Sequence, residues 1–147
     1  MKRIIFVCTG NTCRSPIAEA LAIKSFSENN INIEVISRGI LVSFPSPANE
    51  YTVDIVKNKY PNIKNHIAIS FTEDEVDKDT LVLTMTESHK NYILVTYPNI
   101  KDNVATLKEY LDELGDVKDP YGCSKDVYME CANEISLLIN KLTKKIL

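Results

Sequence analysis

Apolar residues along this chain fall into two patterns, short continuous runs and runs at helical spacing. A short continuous run is typical of a strand buried on both faces of a sheet. Such runs predict strands at 4–7, 81–85 and 104–107. A segment of mixed apolar and polar residues predicts a further strand at 33–37. Apolar residues at helical spacing predict helices over 15–29, 48–59, 86–94 and 124–145.

The ends of these segments carry more specific signals. Ser15 is a suitable N-cap for the first helix and Pro16 suits its first position, while Asn29 and Asn30 end it. Prolines predict a loop over 43–47. The buried face of the last helix is predicted to consist of Val127, Cys131, Ile135, Leu138, Ile139 and Leu142.

Strands alternate with helices along the chain, which predicts an α/β fold with a parallel sheet, helices on both faces and right-handed crossovers. No repeat, low-complexity tract or linker interrupts this alternation, so residues 1–147 are expected to form a single domain. In open parallel sheets, ligands bind beyond the carboxyl ends of the strands. Because Cys8 directly follows the first strand, it lies where chemistry is expected.

Composition and charge narrow the classes of function. The 147 residues carry a net charge of -3, whereas nucleic-acid binding usually requires a basic face. The apolar run after Met1 is too short for a signal peptide, and no segment is long enough for a membrane span. We therefore expect a cytoplasmic protein without a nucleic-acid or membrane partner. Its cysteines are expected to be reduced, with Cys123 on a surface loop and Cys131 in a helix core.

The segment VCTGNTCRSP, from Val7 to Pro16, carries the strongest chemical signal. Five residues separate Cys8 from Arg14, and a loop that turns from strand to helix over this length points backbone N–H groups inward. The helix N-terminus adds partial positive charge, and Arg14 supplies a planar fork for two oxygens. The resulting pocket suits a tetrahedral oxyanion such as phosphate.

Cys8 lies at the bottom of this predicted pocket. A thiol among N–H donors, a helix N-terminus and an arginine is expected to be ionised, with Ser15 donating a hydrogen bond, and such a thiolate attacks phosphorus. The leaving group then needs a proton. The KDPYG segment follows the fourth strand, so its loop reaches the same edge of the sheet. We expect Asp119 to act first as general acid and then as general base for water.

Other chemistries of the cysteines make different demands on the sequence. A zinc site needs closer cysteine spacing or paired histidines, and His66 and His89 stand apart, so no metal or cofactor is expected. The nucleotide-binding motif G-x4-G-K-[ST] is absent. Cys8 and Cys13 can approach disulfide distance in a curled loop, where Cys13 would trap an oxidised Cys8 reversibly. Alternatively, Cys13 only packs behind the loop.

The run CTGNTCRS, from Cys8 to Ser15, together with the distant pair Asp119-Pro120, resembles the low-molecular-weight protein tyrosine phosphatase family. The likeness continues through SRG, LVLTMTESHK and TLKEY to the last helix. It implies a four-stranded parallel sheet in order 2-1-3-4, with helices on both faces and the phosphatase loop between the first strand and the first helix. It also implies hydrolysis of phosphomonoesters through a cysteinyl-phosphate, without metal or cofactor.

The resemblance assigns roles residue by residue. It implies Cys8 as nucleophile, Arg14 as the clamp on phosphate oxygens and Asp119 as acid and base. It also implies a left-handed backbone at the loop asparagine, supported by Ser37, with His66 bracing the loop. The partners it implies are a phosphorylated protein and inorganic phosphate, which is product and inhibitor. The implied substrate-binding residues are Thr9, Gly10, Asn11, Thr12, Cys13, Ser15 and Tyr121.

Thr12 bears on the choice of substrate. Tyrosine phosphatases of the family commonly carry isoleucine there, whereas CTGNTCRS, TLKEY and DPYG are similar to the bacterial protein-arginine phosphatase subgroup. A threonine hydroxyl can orient water or a guanidinium nitrogen, and the arginine stem is slimmer than a phenyl ring. The resemblance therefore implies phosphoarginine as substrate. Phosphotyrosine stays the alternative, because Tyr121 supplies an aromatic wall that can stack on it.

Two rival functions remain beside the phosphatase. An arsenate reductase on this fold needs a further cysteine pair near the third strand, where this chain reads LTMTESHKN. A non-catalytic anion-binding or redox-sensing module is disfavoured because Cys8, Arg14 and Asp119 are all kept. Arg38 stands where the family usually has alanine, and the sequence does not say how it affects the site entrance.

Overall fold

The computed structural model describes all 147 residues, and its centre is a sheet of four parallel strands. They are β1 (Arg3–Cys8), β2 (Glu34–Gly39), β3 (Thr80–Thr84) and β4 (Val104–Thr106). Their order across the sheet is β2-β1-β3-β4, and every neighbouring pair is parallel. The predicted α/β class and the implied strand order are therefore confirmed.

Helices connect the strands and cover both faces of the sheet. They are α1 (Arg14–Glu28), α2 (Glu50–Val56), α3 (Glu87–Thr96), α4 (Leu107–Tyr110) and α5 (Lys125–Ile146). Four of them match the predicted helices within a few residues, whereas α4 and three short 3-10 turns carry too few residues to show a periodicity. The turns are Pro61–Asn65, Glu73–Glu75 and Pro98–Asn103. No helix has the length and apolarity needed to cross a bilayer.

The continuous apolar run of β1 is explained by its position between two hydrophobic layers. Ile4 and Phe6 point into the larger layer, and Ile5 and Val7 point into the smaller one on the opposite face. All four side chains are fully buried, and each contributes about 1.5–3 kcal/mol of burial free energy. Helices α1 and α5 cover the larger layer, while α3 covers the smaller one.

The predicted cap of α1 is wrong. The helix begins at Arg14, its N-cap is Cys13, and no side chain caps it. The hydroxyl of Ser15 instead lies 2.9 Å from Cys8 Sγ. Pro16 still falls in the first turn, where its missing N–H costs nothing. The chain curls tightly around the pocket, and this curl places the serine side chain inside the loop.

The predicted inner face of α5 is wrong at one position. Val127 is 36% exposed, whereas the neighbouring Tyr128 is almost completely buried. The ring of Tyr128 packs edge-on against Tyr51 of α2, with centroids 5.2 Å apart. The larger aromatic side chain fills the space between α2 and α5, and Val127, one residue before it, is left partly exposed. The remaining predicted positions, from Cys131 to Leu142, are buried.

Arg38 acts within the fold and does not line the cavity beside Cys8. Its guanidinium forms two hydrogen bonds of 2.7 Å to the carboxylate of Glu75. This arrangement lowers the pKa of Glu75, chiefly through the hydrogen bonds from Arg38. The arginine therefore ties β2 to the 3-10 turn Glu73–Glu75.

Candidate active site

The loop between β1 and α1, residues 8–14 and here called the phosphate loop, surrounds a cavity of about 210 Å³. The loop after α4, residues 117–123 and here called the acid loop, closes one side of it. Both loops lie at the carboxyl edge of the sheet, as expected for a ligand site in this architecture. The lining residues are Cys8, Thr9, Gly10, Thr12, Cys13, Arg14, Asp119 and Tyr121.

Cys8 lies at the end of β1 and is 2% exposed. Its Sγ is 2.9 Å from Ser15 Oγ. The amide of Asn11 donates to the same serine oxygen over 2.9 Å. That oxygen accepts from Asn11, and its own proton faces two acceptors, the Cys8 sulfur and the Arg38 carbonyl oxygen at 3.4 Å, of which the sulfur is the nearer. The first turn of α1 adds unpaired N–H groups and partial positive charge at this end of the cavity.

Asn11 holds the phosphate loop in shape. Its backbone is left-handed, with φ of 58°, a conformation in which asparagine is enriched among non-glycine residues. Its Nδ2 donates to Ser37 Oγ over 2.9 Å, and its Oδ1 accepts from the Ile69 backbone N–H over 3.0 Å. His66 Nε2 donates to its carbonyl over 2.7 Å. The structure thus brings both predicted loop-supporting residues, Ser37 and His66, into direct contact with Asn11.

Gly39, at the end of β2, allows this close packing. A Cβ atom at that position would lie 2.7 Å from the backbone oxygen of Thr9 and 3.1 Å from the Asn11 Cβ. Any side chain there would push against the phosphate loop. Gly39 is therefore required because the phosphate loop packs too closely against this position for a side chain.

Arg14 is 4% exposed, and two hydrogen bonds to the protein hold its guanidinium. Nη1 donates to the Val117 carbonyl over 3.0 Å, and Nη2 donates to Thr9 Oγ1 over 3.4 Å. Its Nε is buried without a partner. A buried N–H without a partner is costly, so this group is suited to an oxyanion in the cavity.

Asp119 lies on the acid loop with 49% of its side chain exposed. One carboxylate oxygen accepts from the Tyr121 backbone N–H over 3.1 Å, and the other lies 3.5 Å from Arg14 Nη2. Tyr121 itself is 73% exposed at the rim. The structure therefore places the predicted acid, nucleophile and clamp around one cavity.

Thr12 and Cys13 form another part of the cavity wall. Cys13 Sγ lies 3.7 Å from Thr12 Oγ1 and 3.5 Å from the hydroxyl of Tyr128. Burial raises the pKa of the Cys13 thiol. Burial also raises the pKa of Cys131 to about 12, and Cys123 is exposed, as predicted for a core thiol and a surface thiol.

His89 has no functional role in the sequence-based predictions, and the structure places it directly behind the phosphate loop. Its Nε2 lies 2.9 Å from Thr9 Oγ1, and the residue is 4% exposed. Burial, followed by the charge of Arg14, lowers the pKa of His89 to about 4. A histidine within LVLTMTESHK carries no recognisable signal of this contact, because the contact is made across eighty residues of sequence.

Comparisons with known proteins agree with this geometry. The sequence model of the family described as "Low molecular weight phosphotyrosine protein phosphatase" matches residues 3–147. A protein-arginine-phosphatase of Bacillus subtilis (strain 168) is 41% identical over 145 residues, which cover 97% of this chain and 95% of that protein. The low molecular weight protein-tyrosine-phosphatase PtpB of Staphylococcus haemolyticus is 39% identical over 141 residues, 95% of this chain and 96% of that protein.

A solved structure of the YwlE arginine phosphatase shows the same fold. It superposes with a TM-score of 0.90 at 38% identity and covers 98% of this chain and 95% of that chain. It is a cysteine-to-serine mutant whose active-site serine is phosphorylated.

Proposed function

Because this chain belongs to the low-molecular-weight phosphotyrosine protein phosphatase family, we propose that it hydrolyses phosphoarginine in proteins through a cysteinyl-phosphate on Cys8. The observation that carries the phosphoarginine assignment is Thr12, which lines the cavity together with Cys8. The related arginine phosphatase with a phosphorylated active-site serine supports a covalent step.

The first step transfers the phosphoryl group to sulfur. Cys8 attacks phosphorus as the thiolate, the S–P bond forms, and the P–N bond to the guanidinium breaks. The electron pair of that bond stays on nitrogen, Asp119 gives its proton to this nitrogen, and arginine leaves as the guanidinium cation. Arg14 and the N–H groups of the phosphate loop hold the phosphoryl oxygens, where their positive charge stabilises the transition state.

The second step returns the enzyme to its starting state. The Asp119 carboxylate takes a proton from water, the water oxygen attacks phosphorus, and the S–P bond breaks. Inorganic phosphate leaves and Cys8 is again a thiolate. Since phosphate fits the same cavity, we expect it to inhibit competitively.

Substrate preference is tested by kcat/KM for phosphoarginine and phosphotyrosine peptides of one sequence, because this ratio measures differential transition-state binding. The wild type is expected to prefer phosphoarginine, and Thr12→Ile is expected to move the ratio toward phosphotyrosine. Thr52→Val is a matched control, because Thr52 is a buried threonine outside the cavity. A wild type that prefers phosphotyrosine would overturn the assignment to arginine.

Phosphotyrosine is the second candidate substrate, and Tyr121 is the observation that favours it. The ring stands exposed at the rim of the cavity, where it can stack on a phenyl ring. Tyr121→Ala separates the two candidates. Loss of phosphotyrosine turnover with phosphoarginine turnover unchanged would assign the ring to aromatic substrates.

Cys8 and Cys13 are proposed as a reversible redox pair. Both line the cavity, through which peroxide can reach the sulfur; peroxide converts a thiolate to sulfenic acid, which a neighbouring thiol traps. We expect peroxide to inactivate the enzyme and a thiol reductant to restore it. If Cys13→Ser recovers from peroxide as fully as the wild type, Cys13 only packs behind the loop.

Residues 1–147 are proposed to act as one phosphatase domain in the cytoplasm on phosphorylated protein substrates. The family model spans 3–147, which supports a single functional unit. A fractionation experiment with antibody to the chain tests its location. Activity on phosphorylated peptides but not on free phosphoarginine would indicate that the surrounding protein chain is recognised.

A further inference from the structure

His89 is a buried histidine that the reaction steps above do not use. It lies in the first turn of α3, behind the phosphate loop, and its backbone N–H is bound by Thr86 Oγ1 over 3.1 Å. Its Nε2 is 2.9 Å from Thr9 Oγ1. That hydroxyl also lies 3.4 Å from Arg14 Nη2. The threonine therefore joins the histidine to the guanidinium at the wall of the cavity.

The surroundings of the imidazole decide which nitrogen carries the proton. Its Nδ1 is buried without a partner, and a buried N–H without a partner costs more than a bare acceptor. Burial and the neighbouring charge of Arg14 also disfavour a second proton, so the ring is neutral and carries one proton. The Nε2–H tautomer satisfies both conditions, because it leaves only a lone pair at Nδ1.

This tautomer determines the direction of the Thr9 hydroxyl. The oxygen accepts one hydrogen bond from His89 Nε2 and one from Arg14 Nη2, which occupies both of its lone pairs. Its single proton cannot point at either donor. The remaining open direction is the cavity that Thr9 lines together with Cys8.

We propose that His89 is a positioning residue that turns the Thr9 hydroxyl proton into the cavity, where it donates to a phosphoryl oxygen. The inference rests on the phosphate chemistry proposed above and adds a side-chain donor to the backbone N–H groups and Arg14. A hydrogen bond to a charged oxygen changes affinity by about 10- to 100-fold. The ring itself touches neither the substrate nor the sulfur.

Charged groups from two elements face the imidazole. Arg14 approaches from α1, while Asp116 and Asp119 approach from the segment after α4. Burial and the arginine outweigh the two carboxylates, so the pKa of His89 falls to about 4. The ring therefore stays uncharged across the neutral range, and the direction of the Thr9 hydroxyl does not change with pH there.

A double-mutant cycle tests the proposal with inorganic phosphate as the probe. Thr9→Val, His89→Leu and the double variant are compared by calorimetric Kd for phosphate and by kcat/KM for an aryl phosphate. Each single change is expected to weaken both by about 10-fold or more. The double variant is expected to lose no more than Thr9→Val alone, because both changes remove the same hydrogen-bond donor to phosphate, the Thr9 hydroxyl. Losses that multiply would overturn the proposal, as would wild-type phosphate affinity in Thr9→Val.

Conservative variants separate positioning from packing. The side-chain amide of His89→Gln can donate to Thr9, and Thr9→Ser keeps the hydroxyl, so each is expected to recover most of the loss of its apolar counterpart. Thr52→Val again serves as the control, because it makes the same change from threonine to valine outside the cavity. If His89→Gln binds phosphate as weakly as His89→Leu at equal thermal stability, the ring acts only by filling space.

Nitrogen NMR reads the tautomer directly, because the chain has 2 histidines and His66→Gln assigns the signals. We expect a proton on Nε2 of His89 and none on Nδ1 at neutral pH. A proton on Nδ1, or an imidazolium, would overturn the proposal. Phosphate affinity and NMR need no turnover, so they judge His89 even if the wild type fails to hydrolyse phosphoarginine.

Discussion

The phosphate loop and the acid loop face the same cavity but are held in different ways. In the phosphate loop, the side chain and carbonyl of Asn11 bind Ser15, Ser37, Ile69 and His66. In the acid loop, Asp119 is half exposed and is held by one backbone N–H and the edge of Arg14. The loop proposed to bind negative charge is thus held by several side-chain hydrogen bonds, while the carboxylate proposed to move a proton stays accessible to water.

This difference matches the demands of the chemistry. Stabilising a phosphoryl group requires donors that need no rearrangement during the reaction. A group that serves first as acid and then as base must meet a leaving group and later a water molecule. Changes in the phosphate loop should therefore reduce both stability and activity, whereas changes in the acid loop should reduce activity alone.

Cys8→Ser is expected to have the largest effect. The serine hydroxyl is a far weaker nucleophile, so kcat should fall by at least about 10⁴-fold. Steady-state turnover of an aryl phosphate measures this, while calorimetry checks that phosphate still binds. Residual activity near that of the wild type would exclude Cys8 as the nucleophile.

Asp119→Asn should follow, with a fall in kcat of about 10²- to 10³-fold for a substrate with a poor leaving group. The loss should shrink for an aryl phosphate whose leaving group needs no proton in the first step. The unfolding free energy should stay within about 0.5 kcal/mol of the wild type, because the side chain is half exposed. Equal losses for both leaving groups would argue against the role as acid.

Asn11→Ala tests the phosphate loop, where we expect a substitution to reduce both stability and activity. Alanine at a φ of 58° is strained. The hydrogen bonds of the Asn11 side-chain amide to Ser15, Ser37 and Ile69 are also lost. We expect the unfolding free energy to fall by about 3 kcal/mol, measured by urea unfolding. Activity should fall as well. A stable, active Asn11→Ala would show that the loop keeps its shape without this side chain.

The pH dependence of stability should show the smallest effect. The unfolded chain binds a proton at His89 near pKa 6.5, whereas the folded chain does so only near about 4. Stability is therefore present above the unfolded value and is lost as the pH falls. Between about pH 7 and about pH 5 the wild type should lose about 2 kcal/mol more than His89→Gln. Parallel pH curves for the two proteins would contradict a buried, uncharged ring.

Local patterns in the sequence predicted the architecture, which the structure confirms, and residues that the structure brings together at one cavity. The buried run before Cys8 marks a central strand, and the spacing to Arg14 marks an anion-binding turn. Contacts between distant segments were not predictable in this way. Ser15 looked like a helix cap because its local context suits one, yet the curl of the loop directs it to the sulfur. Val127 and Tyr128 both fit helical spacing, and only the presence of Tyr51 decides between them.

The two residues whose role was open depend on partners far along the chain. Arg38 is paired with Glu75, a contact between β2 and a 3-10 turn that has no periodicity. His89 meets Thr9 only because β1 and β3 are neighbours in the sheet. Which side chains meet across the sheet depends on the strand order. The hydrophobic periodicity of a single segment does not indicate that order.

The position of β1 between two strands and two hydrophobic layers has a consequence for hydrogen exchange. Backbone amides of Ile4 to Val7 are buried on both faces and paired on both edges, so local opening cannot expose them to solvent. They should exchange only when the whole protein unfolds, at the slowest rate in the chain. Cys8 continues this strand, so the sulfur is attached to the part of the molecule that opens last. The sulfur of Cys8 should therefore keep its position until the whole protein unfolds.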